Sequence, residues 1–143
     1  MRYVYPMKIK RDKGGFWLAT FPDVPEAGTD ASTRDEAEAG ALDSLIAALG
    51  GYMENRRDIP IPSQPARGQS AACLPPLVAA KLALYQAMRD AGLKNTQLAR
   101  RIGVSETVVR RLLDLDHRSR IGQVEAALAQ LGKRVIVEVD DAA

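Results

Sequence analysis

Five of the chain's eight prolines fall between residues 60 and 76: Pro60, Pro62, Pro65, Pro75 and Pro76, with Gly68 and the polar Ser63, Gln64, Gln69 and Ser70 among them. Proline fixes φ and removes a backbone donor, so neither a helix nor a central strand can run through such a stretch. It reads as an extended, semi-rigid connector over about residues 60–74. A length of 143 residues leaves room for one ordinary domain or two small ones. The seam favours two, residues 1–74 with the connector and residues 75–143.

Charge makes sense only on either side of that seam. The whole chain has a formal net charge of +2, which taken alone argues against a nucleic-acid partner. Residues 1–65 carry 8 basic and 10 acidic side chains, and residues 66–143 carry 12 basic and 8 acidic. The average hides an acidic module and a basic one, with charges of −2 and +4. A content of 46% apolar and 27% charged residues is globular. One cysteine excludes an internal disulfide and a multi-cysteine zinc site, which suits a reducing cytosol. No secretory signal is evident, and the apolar runs fall far short of the roughly 20 residues of a membrane span.

In the first module Tyr3, Tyr5, Met7 and Ile9 recur at period two, as a half-buried strand requires. Arg11-Asp12-Lys13-Gly14-Gly15 supplies a turn, and Phe16 to Phe21 returns as a second strand of an antiparallel hairpin. Pro22 to Glu26 is a loop, Ala27 to Asp30 a possible third strand, and residues 70–74 a possible further one. Thr33 with Glu36 forms a capping box, with Ser32 and Asp35 as a competing pair. The helix that follows carries Leu42, Leu45, Ile46, Leu49 and Met53 as its buried stripe, weakened near Gly50-Gly51. Strands with a helix against them make α+β architecture.

The second module is helical. A helix from Pro75-Pro76 stops at Gly92. Thr96 can cap a short helix with Leu98, Ala99 and Ile102 inward; Gly103 ends it, Val104 fills the corner, and Ser105 caps the next. Val108, Val109, Leu112 and Leu113 are that helix's buried face. The spacing of Gln97-Leu98-Ala99, Gly103-Val104-Ser105 and Val109 resembles the helix-turn-helix of phage-repressor-like families. Between residues 94 and 120 seven basic side chains stand against three acidic ones. The expected DNA-contact set is Gln97, Ser105, Glu106, Thr107, Arg110, Arg111 and Arg118. The arginines would meet guanine or phosphate, Glu106 cytosine, and Gln97 with the helix amides the phosphates.

A last amphipathic helix over residues 119–131 turns Ile121, Val124, Leu128 and Leu131 inward. Val135, Ile136, Val137 and Val139 then read as a lone strand, whose open ladder demands a partner. Pairing with a second copy across a two-fold axis is favoured over docking on the first module's sheet.

Nothing in the chain assembles catalytic chemistry. His117 has no second His or Cys to share a metal, and Cys73 lacks a nearby His. No metal or other cofactor is expected.

Residues 1–37, MRYVYPMKIKRDKGGFWLATFPDVPEAGTDASTRDEA, resemble the N-terminal domain of HicB-type antitoxins, most specifically in Phe21-Pro22-Asp23-Val24-Pro25 and Thr33 to Ala37. Residues 75–104 and the terminal strand are similar to the DNA-binding half of the same family. The resemblance implies a partial ribonuclease-H-like first domain that binds a small basic HicA-type toxin, an mRNA-cleaving protein of double-stranded-RNA-binding fold. It implies a second domain that represses the operon encoding both proteins; with the dimer expected from the terminal strand, or a tetramer built from it, the operator would be palindromic. Trp17, Asp23, Val24, Pro25 and Glu26 are the residues expected to meet the toxin. Retained nuclease activity is not expected, because Asp12, Asp23, Glu26, Asp30, Asp35 and Glu36 lie at turns, in a loop or on a helix surface rather than inward on strands. The alternative is a stand-alone regulator whose first domain binds a ligand or oligomerises.

Overall fold

The period-two pattern of Tyr3 to Ile9 persists in space but serves two separate ladders. In the computed structural model, which describes residues 1–142, β1 (Val4–Pro6) pairs antiparallel with β5 (Ala71–Cys73), Tyr5 opposite Ala72. Beyond Met7, β2 (Lys8–Arg11) pairs with β3 (Trp17–Thr20), and β3 pairs with β4 (Gly28–Ala31), all antiparallel. The expected hairpin is therefore shorter than its sequence pattern. Pro6 has no N–H to give a ladder, and the Met7 amide donates instead to the Ser70 carbonyl at 2.8 Å. Asp12 closes the β2–β3 turn, its carboxylate accepting from the Phe16 amide at 2.9 Å.

Helix α1 (Arg34–Glu54) starts on Thr33, whose hydroxyl accepts from the Glu36 amide at 3.2 Å. It runs through Gly50-Gly51 without a break. Its buried face differs from the expected stripe. Leu45 and Leu49 are buried, but their companions are Ala37, Ala41 and Tyr52, while Leu42, Ile46 and Met53 are only half-buried. Small side chains let the helix lie close to the sheet: a Cβ added to Gly40 would stand 3.3 Å from the Thr29 hydroxyl. Ser44 adds a polar tie, accepting from the Gly28 amide and donating to the Gly28 carbonyl, both at 3.0 Å.

The proline-rich stretch is more than a connector. Ile59 is buried, the Tyr5 hydroxyl donates to the Pro60 carbonyl at 2.8 Å, and residues 71–73 are β5 itself. It straps the first unit, which spans Met1–Leu74.

The second unit, from Pro75 onward, has α2 (Pro76–Asp90), α3 (Asn95–Ile102), α4 (Glu106–Leu113) and α5 (Ile121–Gln130). Leu84, Met88, Leu98, Val109, Leu112, Val124 and Leu128 form the centre of its core. Three details correct the sequence expectation. Lys94, not Thr96, occupies the cap of α3, and the Gln97 side chain accepts from the Lys94 amide at 2.8 Å. Helix α5 begins two residues later than Ser119, which leaves Ile121 40% exposed. Residues 135–139 form no strand in the single chain; Val135 packs on the core, and Ile136, Val137 and Val139 are exposed. A strand is held by a ladder, and among the described residues no neighbouring strand supplies one. No helix among the described residues is long and apolar enough to cross a membrane.

Candidate functional site

Gly103, at φ 69°, ends α3 in the left-handed conformation, and the turn places α4 three residues later. The Ser105 hydroxyl accepts from the Val108 amide at 3.3 Å, so it serves as the cap of α4. Val109 and Leu112 are buried on one side of α4, with Val108 and Leu113 half-buried beside them. Thr107, Arg110 and Arg111 are exposed on the other side. Glu106 lies one turn below Arg110 and accepts from its Nε at 3.2 Å and its Nη2 at 2.9 Å. The guanidinium fork is thus held by a neighbour on its own helix while the side chain stays exposed. Arg118 is exposed in the turn after α4, and the Gln97 side chain, although exposed, is engaged at the start of α3. Six of the seven expected DNA-contact residues are exposed; Glu106 is half-buried.

The expected toxin-contact residues are more dispersed in role. Val24 is fully buried and is a core residue, so it cannot touch a partner. Its amide donates to the Phe21 carbonyl at 3.1 Å and its carbonyl accepts from Ala27 at 3.0 Å, which turns the side chain inward. Both Asp23 carboxylate oxygens accept from Ser63, one from the amide and one from the hydroxyl, each at 2.7 Å. Glu26 accepts from the Tyr52 hydroxyl at 2.7 Å and from Arg57 at 3.2 Å, and Arg57 lies 4.0 Å from the Tyr52 ring centre. The Tyr52 hydrogen bond, followed by backbone and Arg57 contributions, holds the Glu26 carboxyl below its ordinary range. Burial, then the bond to Glu26, pushes the Tyr52 phenol up. Pro25 is exposed, and the ring of half-buried Trp17 has the Arg11 and Arg34 guanidiniums over it, 5.9 and 5.8 Å from its centre.

One residue that sequence reasoning missed stands out. Lys81 is fully buried on α2, and its ammonium donates to the carbonyls of Arg111, Asp114 and His117 and to the Ser119 hydroxyl. The signal was present: Leu77, Lys81, Leu84 and Met88 share one helical stripe, and a lysine in that register is out of place unless paired. Among the described residues no group of three or more His, Cys, Asp or Glu side chains gathers to hold a metal ion.

Residues 4–83 match the family model described as the HicB-like antitoxin of bacterial toxin–antitoxin systems. The chain is 39% identical over 131 residues to Antitoxin HicB 2 of Photorhabdus laumondii, covering 92% of each. It is 36% identical over 141 residues to Antitoxin HicB of Pseudomonas fluorescens, covering 98% of this chain and 96% of the relative. Antitoxin HicB of Escherichia coli K12 is 34% identical over 131 residues, covering 92% and 95%. The matches to these relatives extend over both structural units, and each relative is named an antitoxin. The chain belongs to the HicB-like antitoxin family.

Proposed function

We propose that the first unit neutralises a small basic HicA-type toxin by covering its active site, and that the second represses the operon encoding both proteins. Occlusion needs a surface and no reaction, and the affinity of such a surface rests on a few anchored side chains. Trp17, Pro25 and the partly exposed carboxylates of Asp23 and Glu26 supply an apolar and acidic set suited to a basic partner. The DNA reading is carried by one observation: a Ser105-capped α4 following a Gly103 turn, with Thr107, Arg110 and Arg111 on its exposed face. Ile136, Val137 and Val139, exposed at 80%, 68% and 91%, support pairing with a second copy and a palindromic operator.

The test is co-expression of this chain with its neighbouring reading frames, followed by purification and a gel shift. A very small basic protein should co-purify, and the complex or the free chain should retain duplex DNA from upstream of its own coding sequence. Recovery of the chain alone, or no retention above that of an unrelated duplex, would overturn the corresponding half of the reading.

A further inference from the structure

The helices of the second unit do not all end alike. Helices α2, α3 and α5 close on Gly92, Gly103 and Gly132, and in each the glycine amide and the next one return to the last turn's carbonyls. Helix α4 has no such glycine. It passes into extended Asp114, and the only amide returning to its last turn there is that of Asp114, to the Arg111 carbonyl at 3.2 Å.

What completes that end comes from α2. The Lys81 ammonium lies 2.8 Å from the Arg111 carbonyl oxygen, 2.6 Å from that of Asp114, 2.8 Å from that of His117 and 2.9 Å from the Ser119 hydroxyl. Ser119 in turn donates to the Arg111 carbonyl at 3.2 Å. An ammonium has three protons for these four oxygens, so at least one bond is shared. A cation at a helix C-terminus also meets the negative end of the helix dipole. A charge stripped of water is kept only when oxygens surround it, which explains a buried lysine without a carboxylate bonded to it. The grip falls on the carbonyl of Arg111 itself and on His117 and Ser119, the residues flanking Arg118.

We propose that Lys81 is a positioning residue for DNA contact, holding Arg111 and Arg118 in one fixed relation by clamping the main chain beside both. The proposal rests on reading α3 and α4 as the DNA-contacting pair. Lys81 never meets the duplex; it converts a flexible turn into a rigid mount for two guanidiniums that would otherwise approach phosphates independently.

The experiment is an anisotropy titration of the full-length chain with a labelled duplex from upstream of its own coding sequence. Lys81→Met, which keeps length and apolar stem, should weaken binding about ten- to a hundredfold while retaining its helical circular dichroism. The deciding readout is a double-mutant cycle. Arg118→Ala should cost several-fold in the parent chain but less than about twofold in Lys81→Met, because its contact has already been lost. Thr107→Ala, at the opposite end of α4, should cost the same in both backgrounds. Equal Arg118→Ala penalties in the two backgrounds, the result of a merely structural lysine, overturn the proposal. Should Lys81→Met fail to fold, Ser119→Ala keeps the cation and removes one of its four partners. It should reproduce the reduced Arg118→Ala penalty, and an undiminished penalty overturns the proposal there too. Failure of the parent chain to bind the duplex overturns the DNA reading together with this one, whereas parental binding with equal penalties overturns this one alone.

Discussion

Asp23 and Ser63 are joined twice, the carboxylate accepting from both the amide and the hydroxyl of the serine at 2.7 Å across forty positions of chain. The loop expected to face a toxin and the proline-rich strap are therefore one structure. Asp23→Ala should lower the unfolding free energy of the first unit by about 1–2 kcal/mol and speed proteolysis between residues 60 and 70. Ser63→Ala removes one of the two bonds and should produce a smaller shift in the same direction. Toxin affinity measured on both variants separates contact from support: a loss in Asp23→Ala alone marks a contact, and parallel losses mark the strap.

The Glu26–Tyr52 bond gives the first unit a defined pH window. Glu26 has a folded pKa below its unfolded value, so its contribution is present above the ordinary glutamate range and disappears as pH falls through the lowered value. Tyr52 has a folded pKa above its unfolded value, so its contribution is present below the ordinary tyrosine range and disappears as pH rises through the raised value. Thermal melts should show a plateau between these limits. Tyr52→Phe should flatten the acid limb by removing the largest cause of the Glu26 shift; an acid limb as steep as the parent's would show that the bond does not govern it.

Two residues past the end of α1, Arg56 stands at φ 53°, a left-handed conformation that glycine adopts without strain. Arg56→Gly should stabilise the first unit by about 1 kcal/mol, read as a higher denaturant midpoint with an unchanged slope. A lower midpoint would mean that the arginine side chain supplies more than the backbone strain removes.

Arg110 enters any DNA complex already paired with Glu106. Arg110→Ala should cost about 1–3 kcal/mol of duplex affinity and leave toxin binding untouched. Glu106→Ala frees the fork, and should weaken discrimination between upstream and unrelated duplex more than it weakens affinity. Equal binding of both duplexes by parent and variant in a gel shift would rule out base reading by this pair.

Ile136 and Val139 are apolar and open to solvent in the single chain. Replacing both by Asp should convert a dimer to a monomer in sedimentation and leave the helical signal intact, since only Val135 of this segment packs on the core. A dimer that persists would place self-association elsewhere.

Local chemistry was readable where a residue acts on its immediate neighbours. Thr33 and Ser105 cap the helices their positions suggest, Gly103 makes the turn, and Val109 and Leu112 face inward. The misses share a physical cause. Ala37, Gly40 and Ala41 carry little hydrophobicity, yet their smallness lets α1 approach the sheet, so a stripe drawn through bulky leucines is rotated from the real contact face. Val24 sits in a proline-bounded loop, where nothing in the periodicity marks it as core. The break between β1 and β2 depends on β5, whose Ala72 lies sixty-seven positions beyond its partner Tyr5, and the Asp23–Ser63 and Glu26–Tyr52 bonds likewise join residues that only folding brings together. Lys81 was visible as an anomaly within an apolar stripe, but its partners lie thirty and more positions downstream.

Because α4 takes its final cap from α2, the α3–α4 pair is not a portable cassette. A peptide of residues 94–120, or a graft of that stretch onto another protein, would leave behind the lysine that finishes it. The smallest separable unit of this half begins at the proline pair, and an exchange of α3 and α4 between relatives would have to carry α2 along with them.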